Sequence, residues 1–316
     1  MKYEQLGRSG LQASRLVLGT MNFGTHADER DSFEIMDRAI EAGFNFFDTA
    51  DVYGGAAHPG LTEEIVGRWL QKSGHRDRVI LATKVFGRMS PDINDRGLSA
   101  FHIRRAVEAS LRRLGTDHID LYQMHHIDRS APFEEIWQAF DTLIGQGKIT
   151  YIGSSNFAGW HIASAAEAAR ERHMLGPISE QSHYNLLTRA VESEVLPAAQ
   201  HYGVGVIAWS PLAGGALAGG DGVRRREATG ESEPLAHALR QWFEFCRALG
   251  REPGHVALAW LLQRPGVHGP IIGPRTPAQL DSAVRALEIE FSEAELARLD
   301  DIFPGPGGPA PESYAW

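Results

Sequence analysis

A single cysteine, Cys246, stands among the 316 residues of the chain. One thiol cannot build an internal disulfide framework or a cysteine-based zinc cluster. Its setting in WFEFCRAL reads as a buried structural thiol rather than a nucleophile. Long apolar runs are missing too. No stretch approaches the roughly 18 apolar residues that span a bilayer, and the opening MKYEQLGRSG has no apolar signal-like core, so a cytoplasmic location is expected. Basic charge is in deficit: 31 Lys and Arg against 40 Asp and Glu give a net charge of -9. That balance opposes non-specific binding to nucleic acid and to anionic membrane surfaces, and the local cluster Arg224, Arg225, Arg226 is too small to reverse it. There is no H-E-x-x-H, and the adjacent His125 and His126 lack convincing metal-ligand spacing, so no metal is expected. Nor does a G-x-G-x-x-G follow any predicted strand. Gly203-Val-Gly205 lacks the third glycine, and the glycines at 214, 215, 219 and 220 have no matching helix, which argues against a Rossmann nucleotide site.

What remains is the composition of a globular protein with a large core, 43% hydrophobic and 22% charged. Short apolar runs alternate with longer amphipathic stretches, the pattern of βα units around a parallel sheet. Strands are expected at 14–20, 44–50, 79–84, 118–125, 149–155, 178–182, 205–210 and 269–274. Helices are expected at 31–42 (Phe33, Met36, Ala39 and Ile40 inward), at 62–71 with Thr62 as N-cap, and after a Ser99 cap with Ile103, Val107, Leu111 and Leu114 on one face. Further helices fit 132–145, 158–172, 190–202, 234–249, 254–263 and 277–287. Eight such units point to an α/β fold, a closed (β/α)8 TIM barrel forming one domain over 1–316. Segments 85–98 and 211–233 read as flaps on the active face. The Pro- and Gly-rich tail 303–316 either docks over the barrel mouth through Tyr314 and Trp316 or hangs loose.

In such a barrel, functional side chains gather at the C-terminal ends of strands. Those ends read Thr20 and Met21, Asp48, Lys84, His125, Ser154 to Asn156, Gln181, Trp209 and Ser210, and Gly273 to Arg275. With Tyr53, which follows the second strand, Asp48, Lys84 and His125 form a set suited to protonating a carbonyl as a hydride arrives. A phenol of pKa about 10 holds its proton tightly. A nearby ammonium stabilises the phenolate, and a carboxylate neutralises and orients that ammonium. Tyr53 would be the acid, Lys84 its tuner, Asp48 the anchor, and His125 the donor that positions the substrate oxygen. Each member has a bland alternative: Lys84 with Asp48 as an ion pair closing the barrel, Tyr53 as a loop aromatic, His125 as a satisfied core histidine. His126, its neighbour on the strand, is expected to pack or lie on the rim.

The chain resembles the aldo-keto reductase superfamily over its whole length. The resemblance rests on LVLGTMNFG (16–24), FFDTADVYG (46–54), TK (83–84), DLYQMHH (120–126), IGSSNF (152–157), SEQSHYN (179–185), AWSPLAGG (208–215) and IIGPRTPAQL (271–280). It implies a (β/α)8 barrel that binds extended NADPH (NADP+) without a Rossmann motif, with Tyr53 as proton donor and Asp48, Lys84 and His125 as its partners. It also implies that Ser155, Asn156 and Gln181 bind the nicotinamide carboxamide and that Trp209 stacks on its ring. Ser210, Pro211, Leu212 and Gly214 would wrap the pyrophosphate, while Gly273, Arg275 and Gln279 would grip the adenosine phosphate end. Arg275 favours NADP over NAD. Gly19, Thr20 and Met21 complete the implied cofactor contacts, and Phe23, Tyr53, Phe86, His125 and His126 the substrate pocket.

Two positions depart from the pattern. Gly220 stands where many relatives carry a pyrophosphate-binding lysine, and Ala283 where an asparagine commonly meets adenine; Arg224 to Arg226 are candidates to supply the missing charge. The expected partner is a small carbonyl compound, a ketosugar or a broad range of aldehydes. Two other functions compete: an NADPH-binding regulatory or redox-sensing subunit, and a Schiff-base aldolase using Lys84. Nothing in the sequence selects between monomer and homo-oligomer.

Overall fold

The computed structural model describes residues 1–219 and 233–310; Gly220, Arg224 to Arg226, Tyr314 and Trp316 lie outside the described residues. A hairpin of β1 (Tyr3–Gln5) and β2 (Gln12–Ser14) comes first. Then follow β3 (Val17–Gly19), β4 (Phe46–Asp48), β5 (Ile80–Val85), β6 (Ile119–Met124), β7 (Ile149–Ser155), β8 (Pro177–His183), β9 (Gly205–Trp209) and β10 (Val267–Ile272). These eight strands pair in parallel from β3 round to β10, which returns to β3 and closes the barrel. Between and after them run α1 (Glu29–Glu41), α2 (Leu61–Ser73), α3 (Ala100–Leu114), α4 (Phe133–Gly145), α5 (Gly159–Glu171), α6 (Val195–Tyr202), α7 (Glu233–Ala248), α8 (Pro253–Leu262), α9 (Pro277–Val284) and α10 (Glu293–Ile302). The fold is a (β/α)8 barrel. Among the described residues no helix is long and apolar enough to cross a membrane.

Strands covered on both faces need apolar or matched side chains on both, and every residue of β5 is buried. Outward side chains pack against the helices; inward ones form a separate cluster of Val17, Phe46, Ile80, Ala82, Leu121, Ile178 and Ile207. Because side chains alternate along a strand, stepping two residues from this apolar layer reaches Asp48 after Phe46, Lys84 after Ala82 and Gln123 after Leu121. The polar set is therefore the next layer of the barrel interior, at its C-terminal end. Gly153 makes room for it, since a Cβ there would come within 2.5 Å of Ser179 Oγ and 3.0 Å of Gln123 Cγ.

The hairpin, which no apolar run marks in the sequence, closes the opposite end. Leu6 has no exposed surface and joins the interior cluster. Gly7, at φ +55°, passes so close that a Cβ would stand 2.2 Å from the Ile178 carbonyl oxygen. The helix α10 was also not anticipated, although Ser292 and Glu295 form a capping box at its start.

Other differences are local. Helix α2 starts after Gly60, whose φ of 95° suits glycine, and Thr62 does not cap it; its hydroxyl instead donates to the Phe23 carbonyl at 3.0 Å. Ser99 does cap α3, accepting from His102 N, and Ile103, Val107, Leu111 and Leu114 are all buried. On α1 the inward face is Ile35, Met36, Ala39 and Ile40, while Phe33 is half-buried at the edge. The expected helix 190–202 splits into a 3-10 turn, Ala190–Glu192, and α6. Cys246 is buried, and burial pushes its thiol up to about 12, which fits a structural role.

Truncating Leu6 should act on the closed end and leave the mouth intact. Leu6→Ala is expected to lower stability by about 2–5 kcal/mol, read as a fall in the urea midpoint without a change in m, while ligand binding at the mouth is retained.

Candidate active site

Lys84 projects from β5 into the barrel with no exposed surface. Its Nζ donates to Asp48 Oδ2 at 2.5 Å, to the Thr49 carbonyl at 2.8 Å and to Tyr53 Oη at 3.3 Å. The register explains the meeting, because Asp48 lies beside Ala82 and Lys84 beside Gln123. The second carboxylate oxygen, Oδ1, accepts from Gln123 Nε2 at 2.9 Å and Gln181 Nε2 at 3.0 Å. Asp48 is thus the hub of a buried charge-assisted network spanning β4, β5, β6 and β8.

Burial alone would lower the pKa of the Lys84 ammonium, but Asp48 and Tyr53 overcome it and the net shift is upward. Lys84 is held charged. For Tyr53 the balance goes against the sequence expectation of a lowered pKa. Burial is the largest effect and raises it, Lys84 lowers it, Asp48 raises it again, and the result lies above the ordinary value. The lysine does act in the expected direction, yet desolvation outweighs it. His125 meets Tyr53 edge-on, ring centroids 5.8 Å apart at 79°. Burial, then Lys84 and His126, bring its pKa down to about 3, so the imidazole is neutral near pH 7 and has one N–H to donate.

Beside this group Ser155, Asn156, Gln181 and Trp209 are joined in one hydrogen-bonded rim. Ser155 Oγ donates to the Gln181 carbonyl at 2.9 Å. Asn156, in the left-handed region at φ 59°, donates through Nδ2 to Ser155 Oγ at 2.9 Å and to the His125 carbonyl at 3.2 Å. Its Oδ1 accepts from Trp209 Nε1 at 3.1 Å. The chain from Ser210 to Gly215 contains four positive-φ residues, Ser210, Ala213, Gly214 and Gly215. Within this turn the Ala213 and Gly215 amides donate to the Ser210 and Leu212 carbonyls, and a Cβ on Gly214 would meet nothing within 4 Å, which leaves the turn open to a ligand. Pro211 is buried and Leu212 half-buried beneath this turn. Gly273, Arg275 and Gln279 are exposed, with Arg275 N donating to Gln279 Oε1 at 2.8 Å. The donor set and the open turn fit an extended dinucleotide.

Packing accounts for several of the other expected residues. Phe23 was expected to line the substrate pocket but has no exposed surface and belongs to the outer core. An apolar ring under the loop before α1 contributes more by packing than by facing water. Gly19 and Thr20 are likewise buried in the closure of the barrel: a Cβ on Gly19 would come within 2.5 Å of Ile271 Cγ2, and the Thr20 hydroxyl donates to the Asp48 carbonyl. Met21, by contrast, is 60% exposed. Phe86 and His126 do lie together, ring centroids 5.5 Å apart, with His126 exposed.

Three neighbours went unassigned in the sequence. Gln123 bonds Asp48, and the signal for it was a polar residue at an inward position of a buried strand. His183 stacks on Trp209, centroids 4.2 Å apart and planes 12° off parallel. Asp51 is fully buried behind Tyr53, and burial followed by Glu63 pushes its carboxyl well above the usual range.

A model of the Aldo/keto reductase family matches residues 15–303. An uncharacterized oxidoreductase of Bacillus subtilis is 51% identical, covering 100% of both chains. The versiconal hemiacetal acetate reductase of Aspergillus parasiticus is 34% identical over 96% of this chain and 97% of its own. A probable voltage-gated potassium channel subunit beta of Oryza sativa subsp. japonica is 33% identical over 92% of each.

The low pKa of His125 makes a sign-definite prediction. The unfolded histidine binds a proton below about 6.5 and the folded one only below about 3, so this group's contribution is present above the upper value and is lost as pH falls towards the lower. An NMR titration should find the His125 ring neutral throughout the range from pH 8 down to about pH 5; a midpoint near 6.5 would contradict the electrostatics described.

Proposed function

The chain belongs to the aldo/keto reductase family, an oxidoreductase acting on carbonyl groups, and from that premise we propose that it reduces an aldehyde or ketone with NADPH, using Tyr53 as the general acid. The observation that carries the reading is the position of one ammonium, Lys84, between the Asp48 carboxylate and the Tyr53 hydroxyl. Bound reduced nicotinamide supplies the hydride. The protein's part is to hold the substrate oxygen between Tyr53 and His125 and to deliver a proton to it.

Tyr53, with its pKa raised, is fully protonated at neutral pH and is therefore ready to donate. As the carbonyl oxygen gains charge, the Tyr53 proton moves to it, and the adjacent ammonium stabilises the phenolate that is left. Neutral His125 contributes a hydrogen bond without introducing a second cation beside Lys84. Ser155, Asn156 and Gln181 would hold the carboxamide, Trp209 the ring, the 210–215 turn the pyrophosphate, and Arg275 a 2'-phosphate. The aromatic pair Phe86 and His126, next to His125, suits an uncharged carbonyl compound. The cytoplasm, where NADPH is the reducing currency, is the setting this reading supports.

A second reading, a nicotinamide-binding regulatory subunit, draws support from the 33% identical relative named as a channel subunit beta; turnover separates the two. The Schiff-base alternative is disfavoured by Lys84 itself, because an amine held as ammonium is not a nucleophile.

Oxidation of NADPH followed by absorbance with a reactive aromatic aldehyde is expected to show turnover faster than with NADH. Tyr53→Phe should lower kcat by about 100-fold or more with little change in NADPH affinity. Binding of NADPH without turnover of any reactive carbonyl would favour the regulatory reading.

A further inference from the structure

Glu180 is the one acidic residue of β8, it has no exposed surface, and it takes no part in the chemistry above. Alternation places it on the outer face of the strand, back to back with Gln181, which points to Asp48. Its carboxyl is fully engaged. Oε2 accepts from Ser154 Oγ at 2.5 Å, and Oε1 accepts from Ser182 Oγ at 2.9 Å and from the Phe157 backbone N–H at 3.1 Å.

The last contact matters most, because Phe157 follows Asn156 directly. Asn156 must hold φ at 59°, a region that non-glycine residues occupy at a cost, and only then does its side chain reach Ser155, the His125 carbonyl and Trp209. The Asn156 N–H is itself tied to the Gln181 carbonyl at 3.0 Å. The turn is therefore pinned at two successive amides, one to the backbone of β8 and one to the side chain of Glu180. A serine hydroxyl can turn to accept if the carboxyl becomes protonated, but the Phe157 amide can only donate.

We propose that Glu180 is a positioning residue for the cofactor, its buried carboxylate fixing the Asn156–Phe157 turn, so that cofactor binding weakens when Glu180 takes up a proton. This rests on the reading of Ser155, Asn156 and Trp209 as the nicotinamide receptor. The strand neighbours of Glu180 are neutral, Ser154 from β7 and, by register, Val206 from β9. On the buried face of α5 the titratable side chain is His161, whose pKa is lowered first by burial and then by Arg129 and His126. No ion pair is needed to explain the site. Burial pushes the Glu180 carboxyl up to about 7 against the pull of its donors, Ser154, the Phe157 amide and Ser182. A group poised there changes charge within the working range of an enzyme.

The test is the NADPH dissociation constant measured from about pH 6 to about pH 8.5 by tryptophan fluorescence in the wild type, Glu180→Gln and Ser154→Ala, with the unfolding midpoint of each recorded alongside. The cofactor's own phosphate titrates alike in all three, so differences between the profiles belong to the protein. In the wild type, affinity should fall about fivefold to tenfold as pH drops through 7, the difference between a charge-assisted and a neutral hydrogen bond. Glu180→Gln should lose that transition, and Ser154→Ala, which removes one donor, should move it to higher pH. Identical profiles in wild type and Glu180→Gln would overturn the proposal, as would variants that lower only the unfolding midpoint. Absence of NADPH binding in the wild type would overturn the cofactor reading and this inference with it.

Discussion

An ammonium group with no exposed surface must be neutralised where it stands, and the mouth of this barrel is organised around doing so for Lys84. Removing such a charge from water costs several kcal/mol unless partners replace the lost hydration. Here three oxygens do so, from Asp48, Thr49 and Tyr53. Asp48 in turn needs donors for its second oxygen, and Gln123 and Gln181 provide them from two further strands. One buried charge thereby fixes side chains on four strands. It also fixes the phenol, the only member of the trio that carries a transferable proton toward the open side.

The same low-polarity surroundings set the protonation of everything nearby. They keep Tyr53 a phenol and His125 a neutral imidazole, and they raise Glu180 and Asp51. Water would level these differences. For Tyr53 and His125, a barrel interior closed below by Leu6 and lined by an apolar layer one step beneath the polar one maintains them. Glu180 is instead buried outside the barrel wall, on the outer face of β8. Stability and chemistry are linked at this point: the packed layer that holds the strands together also excludes the solvent that would screen Lys84 from Tyr53.

Much of this was readable from the chain because alternation is strict in a barrel. All eight barrel strands overlap the segments expected from the sequence, most of them apolar runs, and Asp48, Lys84 and His125 stand at the ends of three such runs. Signals weaker than a run were missed. The three-residue strands of the N-terminal hairpin contain only Tyr3, Glu4, Gln5, Gln12, Ala13 and Ser14, without an apolar run to mark them. Phe23 and Gly19 lie in motif segments whose wording suggests contact with ligand, whereas packing accounts for their burial. Gln123 and Glu180 needed the register. A polar residue inside a strand is structurally silent until one knows what stands opposite, and the net pKa of Tyr53 depends on burial that no motif encodes.

The chemistry at the mouth turns on the action of Lys84 on the Tyr53 proton across their 3.3 Å contact. It is tested most directly by following the ionisation of Tyr53 with tyrosine labelled at the phenolic carbon, in the wild type and in Lys84→Met. The seven tyrosines are resolved by NMR, and the Tyr53 signal is assigned by its loss in Tyr53→Phe. Tyr53 is expected to ionise above the ordinary tyrosine value in the wild type and at a still higher pH once the ammonium is gone. A Tyr53 midpoint that stays put or falls in Lys84→Met would contradict it.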